Sequence, residues 1–266
     1  MEESFVLQED VMGQSVIFVK NYIQTEKKDL FLKKHKCIYI IKKKVSQMKI
    51  IVSGASGKTG YRIVEECKKK GYKVKQLIRK NSTINNDLKD IETERISLAD
   101  NFNLDNAIRG SDALIIATGA RPSIDLTGPL KVDALGVYRQ LESCKRVGVK
   151  RVILVSSLCT GKLLHPLNLF GLILIWKKIG ENFLKNPNFD WTIVRPGGLS
   201  ENEETKDQNI LYSKIDTQFE GSIPRRLVAK CCVNALDNKN SINKTIEITS
   251  SKEYKNISFE KAMQII

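Results

Sequence analysis

The sequence predicts an α/β domain, a doubly wound parallel sheet, over residues 48–266. Three observations predict it. Short apolar runs alternate with amphipathic stretches along this whole span, the pattern of repeated βαβ units. The apolar runs, such as Ile50-Ile51-Val52 and Leu114-Ile115-Ile116, are continuous rather than alternating, as in strands covered on both faces. The first run passes into a turn with glycine at every third position, Gly54, Gly57 and Gly60.

Each element follows in order. A strand over 49–53 leads through the glycine turn into a helix over 58–70, closed by Gly71 as a left-handed stop. A strand over 72–78, a weak strand over 92–96, a short helix over 103–109 and an apolar strand over 113–117 come next. Within 130–147, Ala134, Val137, Leu141 and Cys144 fall on one helical face. A strand over 151–155, a helix over 167–185 and a strand over 191–194 follow. The chain closes with a helix over 224–236, N-capped by Ser222, a strand over 245–249 and a helix over 259–265. The nearly continuous apolar residues of 165–176 are assigned to core burial, with an apolar substrate wall, or a face toward another protein or a membrane surface, as the alternatives. The acidic residues Glu201, Glu203 and Glu204 read as a solvated loop, and His165 as a loop residue with no acid near it in sequence.

Composition narrows the function. With 41% hydrophobic residues in 266, the chain has ample core for a folded domain. A membrane-spanning helix needs about 20 apolar residues, and the best stretch, 167–176, contains Asn168. The acidic start, Met1-Glu2-Glu3-Ser4, is unlike a signal peptide. Six cysteines without a C-x-x-C spacing, and only His35 and His165 beside them, argue against a metal site and for reduced thiols. The net charge of +14 raises a nucleic-acid reading. It is set aside because 33 of the 44 cations are Lys, scattered in pairs and triplets alongside 18 Asn, as coding bias produces. Residues 1–47 hold 9 Lys, no Arg and 6 acids, and fail the Arg-rich, Ser-rich, acid-poor pattern of a transit peptide. They read as an extension outside the domain, with 15–19 and 37–41 as short strand candidates and Met48 as an alternative start.

The glycine turn carries the chemistry. In Gly54-Ala55-Ser56-Gly57-Lys58-Thr59-Gly60, the first glycine suits a tight turn, the second lets backbone approach a pyrophosphate, and the third lets helix and strand pack closely. The following helix N-terminus offers free N–H groups to phosphates. Opening a βαβ unit, this is a dinucleotide-binding signature. Gly57-Lys58-Thr59 also resembles the end of an NTPase P-loop. That motif needs glycine at position 52, which is Val52, and the later strands run into Thr118-Gly119 and Ser156-Ser157 rather than a magnesium-binding Asp. An NAD site places an acid after the second strand to hold the ribose. Here that point reads Ile78-Arg79-Lys80, so Arg79 is expected on a 2′-phosphate and NADP is favoured over NAD.

Four stretches, Gly54–Gly60, 117–122, 152–157 and 191–199, together resemble the atypical short-chain dehydrogenase/reductase family. The likeness is to its NAD(P)H-binding, biliverdin/flavin reductase-like members and to uncharacterised NAD(P)-binding proteins of cyanobacteria and chloroplasts. The resemblance implies an NAD(P)-binding Rossmann fold. It implies phosphate contacts from Ser56, Lys58 and Thr59, and a cofactor edge along Ala117, Thr118 and Gly119. Lys177 matches the lysine that holds the nicotinamide ribose, Ser156 or Ser157 matches the family serine, and Arg195-Pro196-Gly197 would border the nicotinamide. Ordinary members carry Tyr-x-x-x-Lys, in which the lysine lowers the tyrosine pKa. Here the position four before Lys177 is Ile173, and four before Lys178 is Leu174.

An oxidoreductase passing hydride to an apolar, conjugated substrate is therefore expected. Ser156 and Lys177 are its candidate catalytic donors, though cofactor binding alone would also account for both. The alternative is a non-catalytic NADP-binding redox sensor, or an assembly factor for a photosynthetic or membrane complex. The partners expected are a small-molecule substrate or another protein, with peripheral membrane contact allowed and no nucleic acid. A cytoplasmic location, or the plastid stroma in a eukaryote, completes the expectation.

Overall fold

The computed structural model describes residues 5–9, 15–19, 48–120 and 126–266. The chain divides into two units, residues 1–45 and 46–266. In the first, β1 (Phe5–Glu9) pairs antiparallel with β2 (Ser15–Val19). The second of these strands was expected and the first was not; the candidate at 37–41 lies outside the described residues.

The second unit runs β3 (Lys49–Ser53), α1 (Gly60–Lys69), β4 (Lys73–Ile78), β5 (Glu92–Arg95), α2 (Asn101–Ile108), β6 (Ala113–Ile116) and α3 (Leu135–Val147). It continues through β7 (Arg151–Val155), α4 (Ile173–Leu184), β8 (Asp190–Pro196), β9 (Gly198–Ser200), β10 (Asn209–Ser213) and β11 (Ser222–Pro224). It ends with α5 (Arg225–Asp237), β12 (Lys244–Ser251) and α6 (Phe259–Ile265). One eight-stranded sheet has the order β10-β12-β8-β7-β6-β3-β4-β5 and is parallel except for β10. From β3 the chain builds outward through β4 and β5. It then returns to the other side of β3 through β6, β7 and β8, so the direction of winding reverses between β3 and β6.

Alternation along the strands divides the core between the two faces. Ile50 and Val52 of β3 pack with Val64, Cys67, Val228 and Cys232 of α1 and α5. Ile51 points the other way, joining Leu104, Leu141 and Leu184 of α2, α3 and α4. Both faces are covered, which suits the continuous apolar runs of β3, β6 and β7; each such side chain contributes roughly 1.5–3 kcal/mol by leaving water. The edge strand β5, Glu-Thr-Glu-Arg, carries charges that discourage pairing by another chain. Lys75 of β4 reaches its Glu92 at 2.6 Å. Burial pushes the thiols of Cys144 and Cys231 up to about 12, in keeping with unreactive cysteines.

Three boundaries differ from expectation. Ser222 lies in β11, and Pro224 holds the N-cap position of α5, so Ser222 is not the cap. The strand β10 and the short parallel pair β9–β11 were not foreseen. The helix expected over 167–185 is broken. A 3-10 turn (Pro166–Phe170) ends at Gly171 and Leu172, both with positive φ, and α4 starts afresh at Ile173. Asn168 explains the break. Its buried amide donates to the carbonyls of Lys162 and Leu163 and accepts from the Leu174 N–H, tying the loop to the new helix start. As a result Leu164 and Leu169 stand 97% and 81% exposed, and the core-burial assignment fails for 167–172.

Candidate functional site

The glycine turn sits where the winding reverses, at the C-terminal ends of β3 and β6. Gly54 has φ +80°, and a Cβ there would lie 2.8 Å from the Ala117 carbonyl carbon and oxygen. Gly60 is tighter: its Cβ would lie 2.1 Å from the Gly54 carbonyl oxygen. The first glycine thus lets two strand ends approach, and the third lets α1 start against the turn. Gly54 N–H donates to the Leu77 carbonyl, and Gly57 N–H to the Gly54 carbonyl, which fixes the loop.

A cleft of about 500 Å³ opens beside this turn. Of the expected cofactor residues, Gly54, Ser56, Gly57, Arg79, Ala117, Thr118 and Gly119 line it. Lys131 and Arg139 line it too, and among the described residues no carboxylate does. Among the described residues Arg79 and Arg139 make no ion pair. The Thr118 hydroxyl is buried without a hydrogen-bond partner. An unsatisfied hydroxyl, a glycine cradle and unpaired guanidinium groups suit a phosphate-bearing dinucleotide. Arg139 was not singled out from sequence; one arginine on an amphipathic helix carries no local signal.

Lys177 lies at the Gly119 end of the cleft. Its Nζ is 2.8 Å from Asp133 Oδ1, while Asp133 Oδ2 accepts from the Ala120 N–H at 3.1 Å. Asp133 belongs to a π-helical turn, Leu130–Ala134, that precedes α3. This turn brings the Asp133 carbonyl against α4, where a Cβ on Gly180 would lie only 2.3 Å from it. Gly180 therefore permits the contact that sets Lys177, one turn earlier on α4, beside Asp133. Asp133 was missed, although it was legible: it is an acid in register with the apolar stripe of Val137, Leu141 and Cys144.

Two expected site residues are engaged elsewhere. Ser156 donates to Glu181 Oε1 at 2.6 Å. Arg195 is fully buried and binds Glu181 through Nε and Nη2, at 2.8 and 2.7 Å, with Asp216 and Glu247 on its Nη1. Burial opposes the Arg195 charge, but the Glu181 and Asp216 contacts outweigh it and raise its pKa. Glu247 also accepts from the backbone N–H groups of Asp216, Thr217 and Gln218. Arg195 is thus the centre of a buried ion network, and it is not among the residues that line the cleft. Pro196 is buried beside it, its carbonyl accepting from Leu158 N–H.

Lys58 is 69% exposed and pairs with Glu201 at 2.9 Å, so it does not line the cleft. Thr59 occupies the N-cap position of α1 and makes no side-chain cap bond. The acidic residues are exposed, as the solvated reading expects, but two of them are also ion-paired. Glu201 meets Lys58, Arg62 and Arg225, and Glu203 meets Arg62 and Arg226. The bond from Lys58 holds Glu201 below the usual carboxylate range. For Glu203, burial acts upward but the hydrogen bonds from Arg62 and Arg226 prevail, and its pKa is lowered.

Residues 54–239 match the family described as NAD(P)H-binding. The chain is 35% identical over 255 residues to an uncharacterised chloroplastic protein of Arabidopsis thaliana, covering 91% of this chain and 89% of that one. It is 29% identical to sanguinarine reductase of Eschscholzia californica, across 78% of this chain and 90% of that one. Among solved structures it resembles a putative NAD-dependent epimerase/dehydratase from Bacillus halodurans, with a TM-score of 0.70, 26% identity, and 82% and 100% of the two chains covered.

Proposed function

Since the chain belongs to the NAD(P)H-binding family, we propose that it is an NADP(H)-dependent oxidoreductase of the short-chain dehydrogenase/reductase type, acting on an apolar, conjugated substrate. The observation that carries this reading is the cleft beside the glycine turn, whose described lining residues include Arg79, Lys131 and Arg139 and no carboxylate. An NAD site would set an acid there for the ribose hydroxyls. In the proposed mode, the backbone of Gly54–Gly57 and the Ser56 hydroxyl receive the pyrophosphate, and the unpaired Arg79 receives the 2′-phosphate. Thr118 and Gly119 border the nicotinamide half.

When bound, the cofactor supplies the hydride. The chain supplies orientation. Lys177, steered by Asp133, donates to the ribose or to a substrate oxygen at the Gly119 end. Ser156 is held by Glu181, so its hydroxyl proton is directed away from a substrate. Ile173 and Leu174 occupy the positions where a general-acid tyrosine would stand. The substrate class that fits is one whose reduced form takes its proton from solvent, which disfavours secondary alcohols. A relative named as a reductase supports this direction of reaction. The relatives called chloroplastic support a plastid stroma, or the cytoplasm of a cyanobacterium-like cell, as the location.

Two measurements test the reading. NADPH is expected to bind about tenfold to a hundredfold tighter than NADH, and Arg79→Ala to erase the difference, as loss of a charged hydrogen bond to phosphate implies. Equal affinities in the unmutated protein would overturn the NADP assignment. NADPH oxidation with flavin, quinone and tetrapyrrole acceptors should show steady turnover, reduced by about 100-fold in Lys177→Ala. The aliphatic Ile173 favours a second reading, a non-catalytic NADP-binding sensor or assembly factor. Tight NADPH binding with no turnover on any acceptor would select it.

A further inference from the structure

We propose that the loop from Lys162 to Leu172, with Phe219 and Leu126 at its flanks, is a docking surface for an anionic lipid bilayer. Leu163, Leu164, Leu167, Leu169, Phe170 and Leu172 are all exposed, within ten residues of chain. The neighbouring side chains extend the patch. The Lys162 ammonium lies 3.7 Å from the centre of the Phe219 ring, and the backbone of Leu126 packs against Gly171. Both Phe219 and Leu126 are themselves exposed. A soluble domain seldom shows so many large apolar side chains together without an occupant. Leu164 at 97% and Leu169 at 81% exposure point away from the protein and cannot wall an internal pocket.

Charge decides the occupant. No Asp or Glu occurs between Glu142 and Glu181. Lys162 and Lys178 stand at the base of the loop, the stem of Lys178 within about 4 Å of where a Gly161 side chain would begin. Apolar tips above a pair of ammonium groups match the layering of a membrane surface: acyl chains, then anionic headgroups. A second copy of this chain fits worse, because a two-fold contact would set Lys162 and Lys178 against their own counterparts, and the loop itself carries no acid to separate them; Glu220, beside Phe219, is the nearest acid in sequence to the flanking ring. The loop is anchored rather than loose, since Asn168 bonds both its sides. It also adjoins the proposed site: Leu172 and Lys177 are five residues apart, about 8 Å along a helix. An apolar substrate dissolved in the bilayer would meet the protein at this end.

Co-sedimentation of the full chain, without cofactor, tests the proposal. One set of vesicles is phosphatidylcholine alone and the other is phosphatidylcholine mixed with phosphatidylglycerol. The protein should pellet with the anionic vesicles only. Leu164→Asp combined with Leu169→Asp should lower the bound fraction by about tenfold or more, and Lys162→Glu combined with Lys178→Glu should also weaken it. The leucine pair is so exposed that circular dichroism should be unchanged, separating lost docking from lost fold. Protein that stays in the supernatant with both vesicle types overturns the proposal. So does pelleting that the leucine pair leaves intact, which would assign binding to the net charge at large. A dimer that the leucine pair converts to monomer would show a second copy on the patch and overturn it as well. None of these readouts depends on turnover, so the hydride-transfer reading stands or falls separately.

Discussion

Gly60→Ala is expected to abolish measurable NAD(P)H binding, by about 100-fold or more, and to destabilise the domain by roughly 1–3 kcal/mol. The added methyl would lie 2.1 Å from the Gly54 carbonyl oxygen, 2.7 Å from its carbon and 3.0 Å from the Ala55 Cα. All three are backbone atoms of the loop proposed to face the pyrophosphate, so no side chain can yield. Either α1 moves away from β3 or the loop opens, and each displaces the phosphate-facing N–H groups. Gly57→Ala provides the graded comparison. Its Cβ would lie 3.1 Å from the same oxygen, which a shift of a few tenths of an ångström relieves. Fluorescence titration of NADPH with both variants checks the order. Wild-type affinity in Gly60→Ala would refute the account of the turn.

Glu181→Ala should be the most destabilising single change in the sheet's C-terminal half, at about 3–5 kcal/mol. Glu181 is fully buried and joins Ser156 to Arg195. Its removal leaves the guanidinium facing Glu247 and Asp216 at one nitrogen only, and leaves the Ser156 proton without that acceptor. For a domain of this size the loss corresponds to a fall in Tm of roughly 6–20 °C. Glu181→Gln keeps the volume and one acceptor and should cost less. Equilibrium urea unfolding measures both, and a loss below about 1 kcal/mol for the alanine variant would place the network among interactions of little consequence.

Most of the frame was legible because its signals are local. The central strands carry apolar runs such as Ile50-Ile51-Val52 and Leu114-Ile115-Ile116, the glycine spacing is rigid, and Gly71 and Gly148 close their helices where the pattern ends. The alternation of strand and helix then leaves few ways to wind the sheet. What was missed at the acidic loop and at Arg195 shares a cause, in that each depends on partners distant in sequence. The ion pairs of the exposed Glu201 and Glu203 arise only when Arg62 and Arg226 are brought up to them from more than a strand away. Arg195 looks available until Glu181 and Glu247 close around it. The broken helix is different: Asn168 inside an apolar run was the visible sign, and its capacity to cap a helix start outweighed the hydrophobic continuity around it.

The backbone contact between Asp133 and Gly180 has a consequence for how a ligand is received. Two helical segments that touch main chain to main chain can neither rotate nor slide without collision. The Lys177 ammonium, already bonded to Asp133, has therefore lost most of its rotamer freedom during folding. A ligand arriving at the Gly119 end meets a donor in place, and the ordering entropy of a long lysine, about 1–2 kcal/mol, is not subtracted from its affinity. Association there should be limited by encounter and by release of water, not by side-chain rearrangement.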